Sequence, residues 1–114
     1  MKILVCGSRH YLIYPEFKKY LEEMDVTSMV SGGAQGADYL AQKYAEEKGI
    51  PIFIYPADWE KHGRAAGPIR NKQMLDEGKP DMVIAFWDRH SKGTKNMMDQ
   101  AKKAGVPVKV VYIQ

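Results

Sequence analysis

Eight residues decide the fold of this chain: Ser31-Gly32-Gly33-Ala34-Gln35-Gly36-Ala37-Asp38. They follow a short apolar run that ends at Val30 and precede a helical pattern. Three glycines between a strand and a helix let the backbone turn sharply and approach a ligand closely. The helix that begins here would direct free N–H groups and the positive end of its dipole into the same space. The stretch predicts an anion site, most simply for a phosphate, although a tight strand-to-helix connection would need the same glycines.

The alternation of strand and helix continues on both sides of this stretch. Apolar runs predict five strands at residues 2–6, 27–30, 51–55, 82–87 and 106–113. Helical spacing predicts helices at 17–24, 37–48, 68–77 and 95–104, with Gly49 as a helix stop and Pro68 at a first helical position. The connection 57–66 shows no clear period. This order predicts an α/β fold in which helices cover both faces of a five-stranded, mainly parallel sheet, as one domain over residues 1–114.

The composition is that of an ordinary globular protein. Of 114 residues, 45% are hydrophobic and 27% are charged, and no apolar run approaches the ~20 residues that cross a bilayer. The N-terminal apolar run is too short for a signal peptide and predicts a first strand. The single cysteine, Cys6, cannot form an internal disulfide, so we predict a cytoplasmic location, with Cys6 as a small buried side chain.

The positive charge is concentrated in the second half of the chain. Residues 1–57 carry 6 Lys/Arg against 7 Asp/Glu, whereas residues 58–114 carry 11 against 7. Two clusters stand out, Lys61, Arg64, Arg70 and Lys72 in one and Arg89, Lys92 and Lys95 in the other. They suit an anionic ligand, or are solvated surface. The formal net charge of +3 is below the usual footprint of a nucleic-acid-binding domain.

A parallel sheet of this kind binds ligands beyond the carboxyl ends of its strands, where the strand order reverses. The candidate segments are therefore those that follow strands one, two and four: Gly7–Tyr11, Ser31–Asp38 and Trp87–Asn96. No G-x-G-x-x-G follows the first strand and no Walker pattern is present, which disfavours dehydrogenases and P-loop NTPases. The three histidines are scattered without ligand spacing, so no metal and no cofactor is predicted.

Five motifs, in order, resemble those of the SLOG superfamily, named for the Smf/DprA and LOG proteins. They are Gly7-Ser8-Arg9, the glycine-rich stretch Ser31–Asp38, Pro56-Ala57-Asp58-Trp59, Gly63-Arg64-Ala65-Ala66-Gly67-Pro68-Ile69-Arg70-Asn71 and Ser91-Lys92-Gly93-Thr94. Within the superfamily the chain is most similar to the small branch related to YspA and YpsA. The resemblance implies a Rossmann-like three-layer α/β/α fold that binds nucleotides or nucleotide-derived ligands at these loops. It also implies a homo-oligomer, which the Tyr and Met content favours.

LOG proteins cleave the N-glycosidic bond of nucleoside monophosphates with an arginine on the middle helix and a glutamate in a G-G-x-G-T-x-x-E loop. Arg70 stands at the position of that arginine. The position of the glutamate is Met97, which cannot transfer a proton, and Asp99 lies ~200° further around the helix. The resemblance therefore does not carry LOG hydrolysis over to this chain, and the catalytic residues stay unassigned.

We predict first that the chain binds a nucleotide or a nucleotide-derived small molecule, as a sensor, carrier or sequestering protein. Glycine N–H groups and arginines would hold the phosphate, and Asp38 a ribose hydroxyl, unless that carboxylate only complements the helix N-terminus. Trp87 would stack on a base, or lie at the edge of the core. The predicted ligand-binding residues are Gly7, Ser8, Arg9, Ser31, Gly32, Gly33, Gly36, Asp38, Arg64, Arg70, Asn71, Trp87, Lys92, Gly93 and Thr94.

Two alternatives remain open at this point. A hydrolase acting on the N-glycosidic or phosphate-ester bond of such a ligand needs a general acid or base, for which Asp38, Asp58 and Asp88 are the nearby carboxylates. Single-stranded DNA binding, as in the Smf/DprA relatives, needs a basic groove with exposed aromatic side chains, for which Tyr11, Tyr14 and Trp59 are the candidates. No membrane partner is predicted.

Overall fold

A five-stranded parallel sheet forms the centre of the protein in a computed structural model that describes residues 1–114. Its spatial order is β3-β2-β1-β4-β5, and every neighbouring pair is parallel. The central strands β1 and β4 are the longest and the most deeply buried, as expected for apolar runs covered on both faces. The strands are β1 (Lys2–Gly7), β2 (Ser28–Ser31), β3 (Ile52–Ile54), β4 (Met82–Trp87) and β5 (Val108–Tyr112).

Helices cover both faces of this sheet. The five helices are α1 (Tyr14–Glu22), α2 (Ala37–Lys48), α3 (Trp59–His62), α4 (Ala66–Gly78) and α5 (Lys92–Lys103). On one face, Phe17 of α1 and Leu40 of α2 pack in a cluster with Ile3 and Phe86 of the sheet. On the other, Met74 of α4 and Met97 of α5 pack against the opposite face of the same strands. The prediction of a Rossmann-like three-layer α/β/α fold is confirmed.

Several predicted boundaries were wrong. The connection 57–66 contains the short helix α3 and a 3-10 turn at Gly63–Ala65. Helix α4 begins at Ala66, so Pro68 is its third residue. An N–H group in the first turn has no intrahelical acceptor, so a proline there removes no helical hydrogen bond. Helix α5 begins at Lys92 because the Ser91 side chain caps it, and this places Gly93 and Thr94 in its first turn and not in a loop. Strands β3 and β5 are shorter than their apolar runs.

Helix α2 ends at Gly49 in the left-handed conformation, as predicted. Helix α4 ends differently. Gly78 is its last helical residue and packs tightly enough against Val30 that a Cβ would lie 3.2 Å from that side chain. Lys79 then takes the left-handed position, with φ 46°.

We expect Lys79→Gly to raise the free energy of unfolding by about 0.5–1 kcal/mol, since a side chain disfavours left-handed backbone. Lys102→Gly removes the same side chain from right-handed helix and should lower stability by a similar amount. Urea denaturation of both variants measures the two effects. Equal destabilisation by both would contradict the prediction.

The reversal of strand order falls between β1 and β4, because β1 leads to β2 on one side and β4 leads to β5 on the other. The carboxyl ends of β1, β2 and β4 therefore lie together at one edge of the sheet, beside the first turns of α2, α4 and α5. None of the helices has the length and apolar character required to cross a membrane.

Candidate functional site: a cavity at the strand ends

A cavity of about 440 Å³ lies at this edge of the sheet. Its size is within the ~300–1,000 Å³ of small-molecule pockets. Eight of the predicted ligand-binding residues line it, from all three candidate segments and from α4: Gly7, Ser8, Arg9, Asp38, Arg70, Asn71, Gly93 and Thr94. These eight residues therefore lie together around one cavity, and their ligand-binding roles stay predictions.

Seven predicted residues do not line this cavity. Ser31 and Gly32 are buried and line neither cavity, and Gly33 and Gly36 border a second, neighbouring cavity. Arg64 and Lys92 are exposed and lie outside both cavities. Trp87 packs on Tyr112 and donates its indole N–H to the Ser91 carbonyl oxygen at 3.1 Å, so it supports the β4–α5 connection from outside the cavity.

Three N–H groups of the glycine-rich stretch have acceptors within the protein. Ala34 donates to the Asp38 carboxylate at 3.1 Å, and Gly33 donates to the Ser31 hydroxyl at 3.2 Å. The first N–H of α2, that of Ala37, donates to the Ser8 carbonyl oxygen at 3.2 Å. That this helix directs free N–H groups at a bound phosphate stays a prediction, although its first N–H, that of Ala37, is already paired. The Asp38 carboxylate places a negative charge beside these donors.

Asp38 is the most perturbed carboxyl group in the cavity. Its side chain is 7% exposed, and burial raises its pKa from 3.8 to about 6. The Ala34 N–H and the Arg70 guanidinium act in the opposite direction and limit that rise. Near neutral pH this carboxyl is largely ionised and can accept a hydrogen bond from a ligand hydroxyl. Because its pKa is near neutral pH, it can also exchange a proton.

Part of the Arg70 guanidinium group is hydrogen-bonded to the protein backbone. Its Nη1 donates to the carbonyl oxygens of Gly32 at 2.8 Å and Tyr55 at 3.3 Å, and its Nε donates to the Asn71 Oδ1 at 3.1 Å. These bonds hold the glycine-rich stretch against α4. Nη2 makes no hydrogen bond within the protein and is the part of the side chain that remains for a ligand.

Asn71 connects α4 to α5. Its side-chain amide donates to the Gly93 carbonyl oxygen at 3.3 Å and to the Asn96 Oδ1 at 3.1 Å, while its own Oδ1 accepts from Arg70. The residue is 4% exposed, and all of its bonds are internal. We assign it a positioning role, because it fixes the first turn of α5 relative to Arg70.

The first turn of α5 is the open donor surface of the site. The Asp88 carboxylate accepts the N–H groups of His90 and Ser91 at 2.8 Å each, and these bonds hold the pKa of Asp88 below its usual value. The Ser91 hydroxyl accepts the Thr94 N–H and so caps the start of α5. The N–H groups of Lys92 and Gly93 have no acceptor within the protein, and a Cβ built on Gly93 meets no atom within 4 Å. Beside them the space is free.

The remaining lining residues were missed as ligand-binding residues or were assigned other roles. Trp59 and Asp88 appeared only in the alternative functions, and the histidines at 10 and 90 lie at the rim. Burial raises the pKa of the Cys6 thiol far above its usual range, which agrees with a buried structural side chain. Ser91 was detectable as a helix cap three residues before a buried threonine. The others are Ala34, Gln35, Gly67 and Met74.

The position of the LOG glutamate lies outside the site. Met97 is fully buried in the core between α5 and the sheet, and the Asp99 carboxylate lies on the exposed face of α5, where it pairs with Lys95 at 3.0 Å. The cavity therefore lacks the carboxylate of the G-G-x-G-T-x-x-E loop, as the sequence indicated.

Two solved structures of other proteins share this fold. A solved structure of DNA processing protein A (DprA) from Streptococcus pneumoniae superposes with a TM-score of 0.79 over 99% of the chain at 18% identity. The chain spans half of the length of that DprA chain. MurG from Acinetobacter baumannii gives a TM-score of 0.55 at 14% identity, over 96% of this chain and 34% of MurG. At these identities the likeness is one of fold.

Sequence comparison gives the family. Gene 61 protein of Mycobacterium phage D29 is 41% identical over 85 residues, which cover 70% of this chain and 67% of the phage protein. The pattern of the YspA, cpYpsA-related SLOG family matches residues 1–62, from β1 through α3 and thus more than half of the chain. The resemblance noted from the five motifs is confirmed: the chain belongs to the YspA, cpYpsA-related SLOG family.

Proposed function

We propose that the first cavity, at the ends of β1, β2 and β4, binds a nucleotide or a nucleotide-derived small molecule. The protein would act as a sensor, carrier or sequestering protein. The observation that carries the proposal is that the cavity has a hydrogen-bond donor at one end and a carboxylate at the other. The unpaired N–H group of Gly93 lies at the first turn of α5, and a buried carboxylate lies at Asp38. A nucleotide offers a matching pair of groups, an anionic phosphate and a ribose with hydroxyl donors.

The phosphate is assigned to the first turn of α5. The unpaired N–H group of Gly93, which lines the cavity, and the positive end of the helix dipole favour an anion there. The guanidinium groups of Arg9 and Arg70 line the same cavity and add charge-assisted hydrogen bonds. At the glycine-rich stretch, in contrast, the largely ionised Asp38 carboxylate would repel a phosphate, so a ribose hydroxyl is the better partner for that end.

Gly93→Glu tests this assignment without disturbing the fold. The new side chain enters open space and places a carboxylate at the start of a helix, where negative charge is favourable. We expect stability to stay equal or rise slightly, while the affinity for 5′-mononucleotides falls about 10- to 100-fold. The matched control, Gly93→Ala, keeps the N–H group and adds no charge, so it should bind like the wild type.

The measurement is a thermal-shift screen followed by calorimetric titration with AMP, GMP, CMP and UMP. A ligand at one hundred times its Kd should stabilise the wild type by ~2.7 kcal/mol. Equal nucleotide affinity in Gly93→Glu and wild type would refute the phosphate position. If the wild type binds neither these mononucleotides nor the dinucleotides described below, the proposed function itself is refuted.

One observation favours hydrolysis as a second candidate function. The Asp38 carboxyl, with a pKa near 6, lies in the cavity and is suited to general acid–base catalysis around neutral pH. Chromatography of a nucleotide that the protein binds, after incubation, separates the two functions. Release of the free base or of phosphate that Asp38→Asn abolishes supports hydrolysis, whereas intact ligand after long incubation supports binding alone.

A further inference from the structure

We propose that the ligand is a dinucleotide, with one base in the first cavity against Trp59 and the other in a second cavity against Tyr39. This inference rests on the proposed function and adds the class of ligand. It assigns the phosphate that bridges the two nucleosides to Arg9, which lies between the cavities.

The second cavity adjoins the first. Its volume is about 410 Å³, and it shares Arg9, Ala34 and Gln35 with the first cavity as a common wall. Its other walls include Leu12, Tyr39 and Gln42. The two volumes are similar, and each is in the range of a pocket for one small molecule. A ligand that passes over the common wall can place one ring system in each.

Exposed aromatic rings mark both cavities. Four aromatic side chains are exposed, and two of them have a cation over the ring: Lys2 lies over Phe53 and Arg89 over Tyr112. Tyr39 and Trp59 are 56% and 60% exposed and have no aromatic, cationic or hydrogen-bonded partner. These two unpartnered rings are the ones that line the cavities, Trp59 the first and Tyr39 the second. A nucleobase stacks on either type of ring whatever its identity.

The common wall has the chemistry that a bridging phosphate requires. The Arg9 side chain is exposed and pairs with no carboxylate, so its planar guanidinium is free to bind phosphate oxygens in a bidentate manner. The amides of Gln35 and Gln42 provide both donors and acceptors for the edge of a base in the second cavity.

The test compares one base with two. Calorimetry would measure the affinities of AMP, GMP, CMP and UMP and of the 5′-phosphorylated dinucleotides pApA, pGpG, pCpC and pUpU. We expect the best dinucleotide to bind about 10- to 100-fold more tightly than its mononucleotide, since each stacked base adds affinity in this range. Tyr39→Ala should bring dinucleotide affinity down to the mononucleotide value without changing mononucleotide binding.

Phe53→Ala is the matched control, because it removes an exposed aromatic ring that borders neither cavity. It should leave both affinities unchanged. If mononucleotides bind and dinucleotides bind no more tightly, or if Tyr39→Ala leaves dinucleotide binding intact, the inference is wrong and the proposed function stands. If affinity continues to rise with tetra- and hexanucleotides, the occupant is a nucleic-acid strand, which also overturns it. Failure of both ligand sets refutes the proposed function.

Discussion

Gly36→Ala is expected to lower the free energy of unfolding by about 3 kcal/mol or more. Gly36 precedes α2 with φ 75° and ψ −127°, a conformation that only glycine adopts readily. A Cβ at this position would lie 2.2 Å from the Ser8 carbonyl oxygen and 2.5–2.6 Å from backbone atoms of Arg9. These are main-chain atoms at the end of β1, so the clash cannot be relieved by rotation of a side chain.

Gly49→Ala provides the comparison for this variant. Gly49 also has a positive φ, 67°, but a Cβ there meets no atom within 4 Å. Its substitution should cost about 1 kcal/mol, from backbone strain alone. Urea denaturation of both variants separates strain from clash. Similar losses for Gly36→Ala and Gly49→Ala would show that the β1 end and the start of α2 move apart freely, contrary to the tight contact described.

Asp38→Asn is expected to raise stability at pH 7.5 by up to about 3 kcal/mol. Burial raises the pKa of this carboxyl to about 6 in the folded protein from 3.8, so the folded state favours the protonated form. The wild type therefore has the full contribution of this group below pH 3.8 and loses it as the pH rises through 6. A shift of this size corresponds to about 3 kcal/mol. Asparagine stays neutral, and its oxygen can still accept from Ala34.

The pH dependence identifies the cause of the gain. Chemical denaturation of wild type and variant at pH 4.0 and pH 7.5 should give a small difference at the lower pH and the full difference at the higher one. Under the proposed function, the same substitution should weaken nucleotide binding, since the charged acceptor is lost. A gain that is equal at both pH values would contradict the raised pKa of Asp38.

Local sequence patterns were sufficient to predict the three-layer arrangement of the helices and the sheet. The apolar runs gave the order of the strands along the chain, and Gly49 gave the end of α2, because these signals depend on neighbouring residues. The start of α5 was placed too late, since Gly93 favours a turn locally and the Ser91 cap overrides that preference. Helix α3 was missed because four residues are too few to display a helical period.

The sequence predicted a candidate site at the strand ends, but the hydrogen bonds among its residues could not be predicted. Ligands bind at the strand ends of such a sheet, and the polar segments there were visible. The contacts that redefine the site join distant residues: Arg70 donates to Gly32, 38 positions away, and the Ser8 carbonyl oxygen accepts from Ala37. No local signal records such pairs, so the paired N–H groups of Ala34 and Ala37 and the unpaired one of Gly93 appear only in the folded protein. Self-association stays a prediction.

The reversal of strand order also determines how ligand recognition can diverge among relatives. The segment matched by the family pattern, residues 1–62, supplies Arg9 and Asp38, whereas Arg70 and the start of α5 lie beyond it. Gly93 faces open space, so substitutions there need no repacking of the core. Under the proposed function, a relative could exchange the residue at the phosphate end and retain the Asp38 carboxylate at the ribose end. Ligand specificity can therefore change through substitutions at one end of the cavity while the fold stays the same.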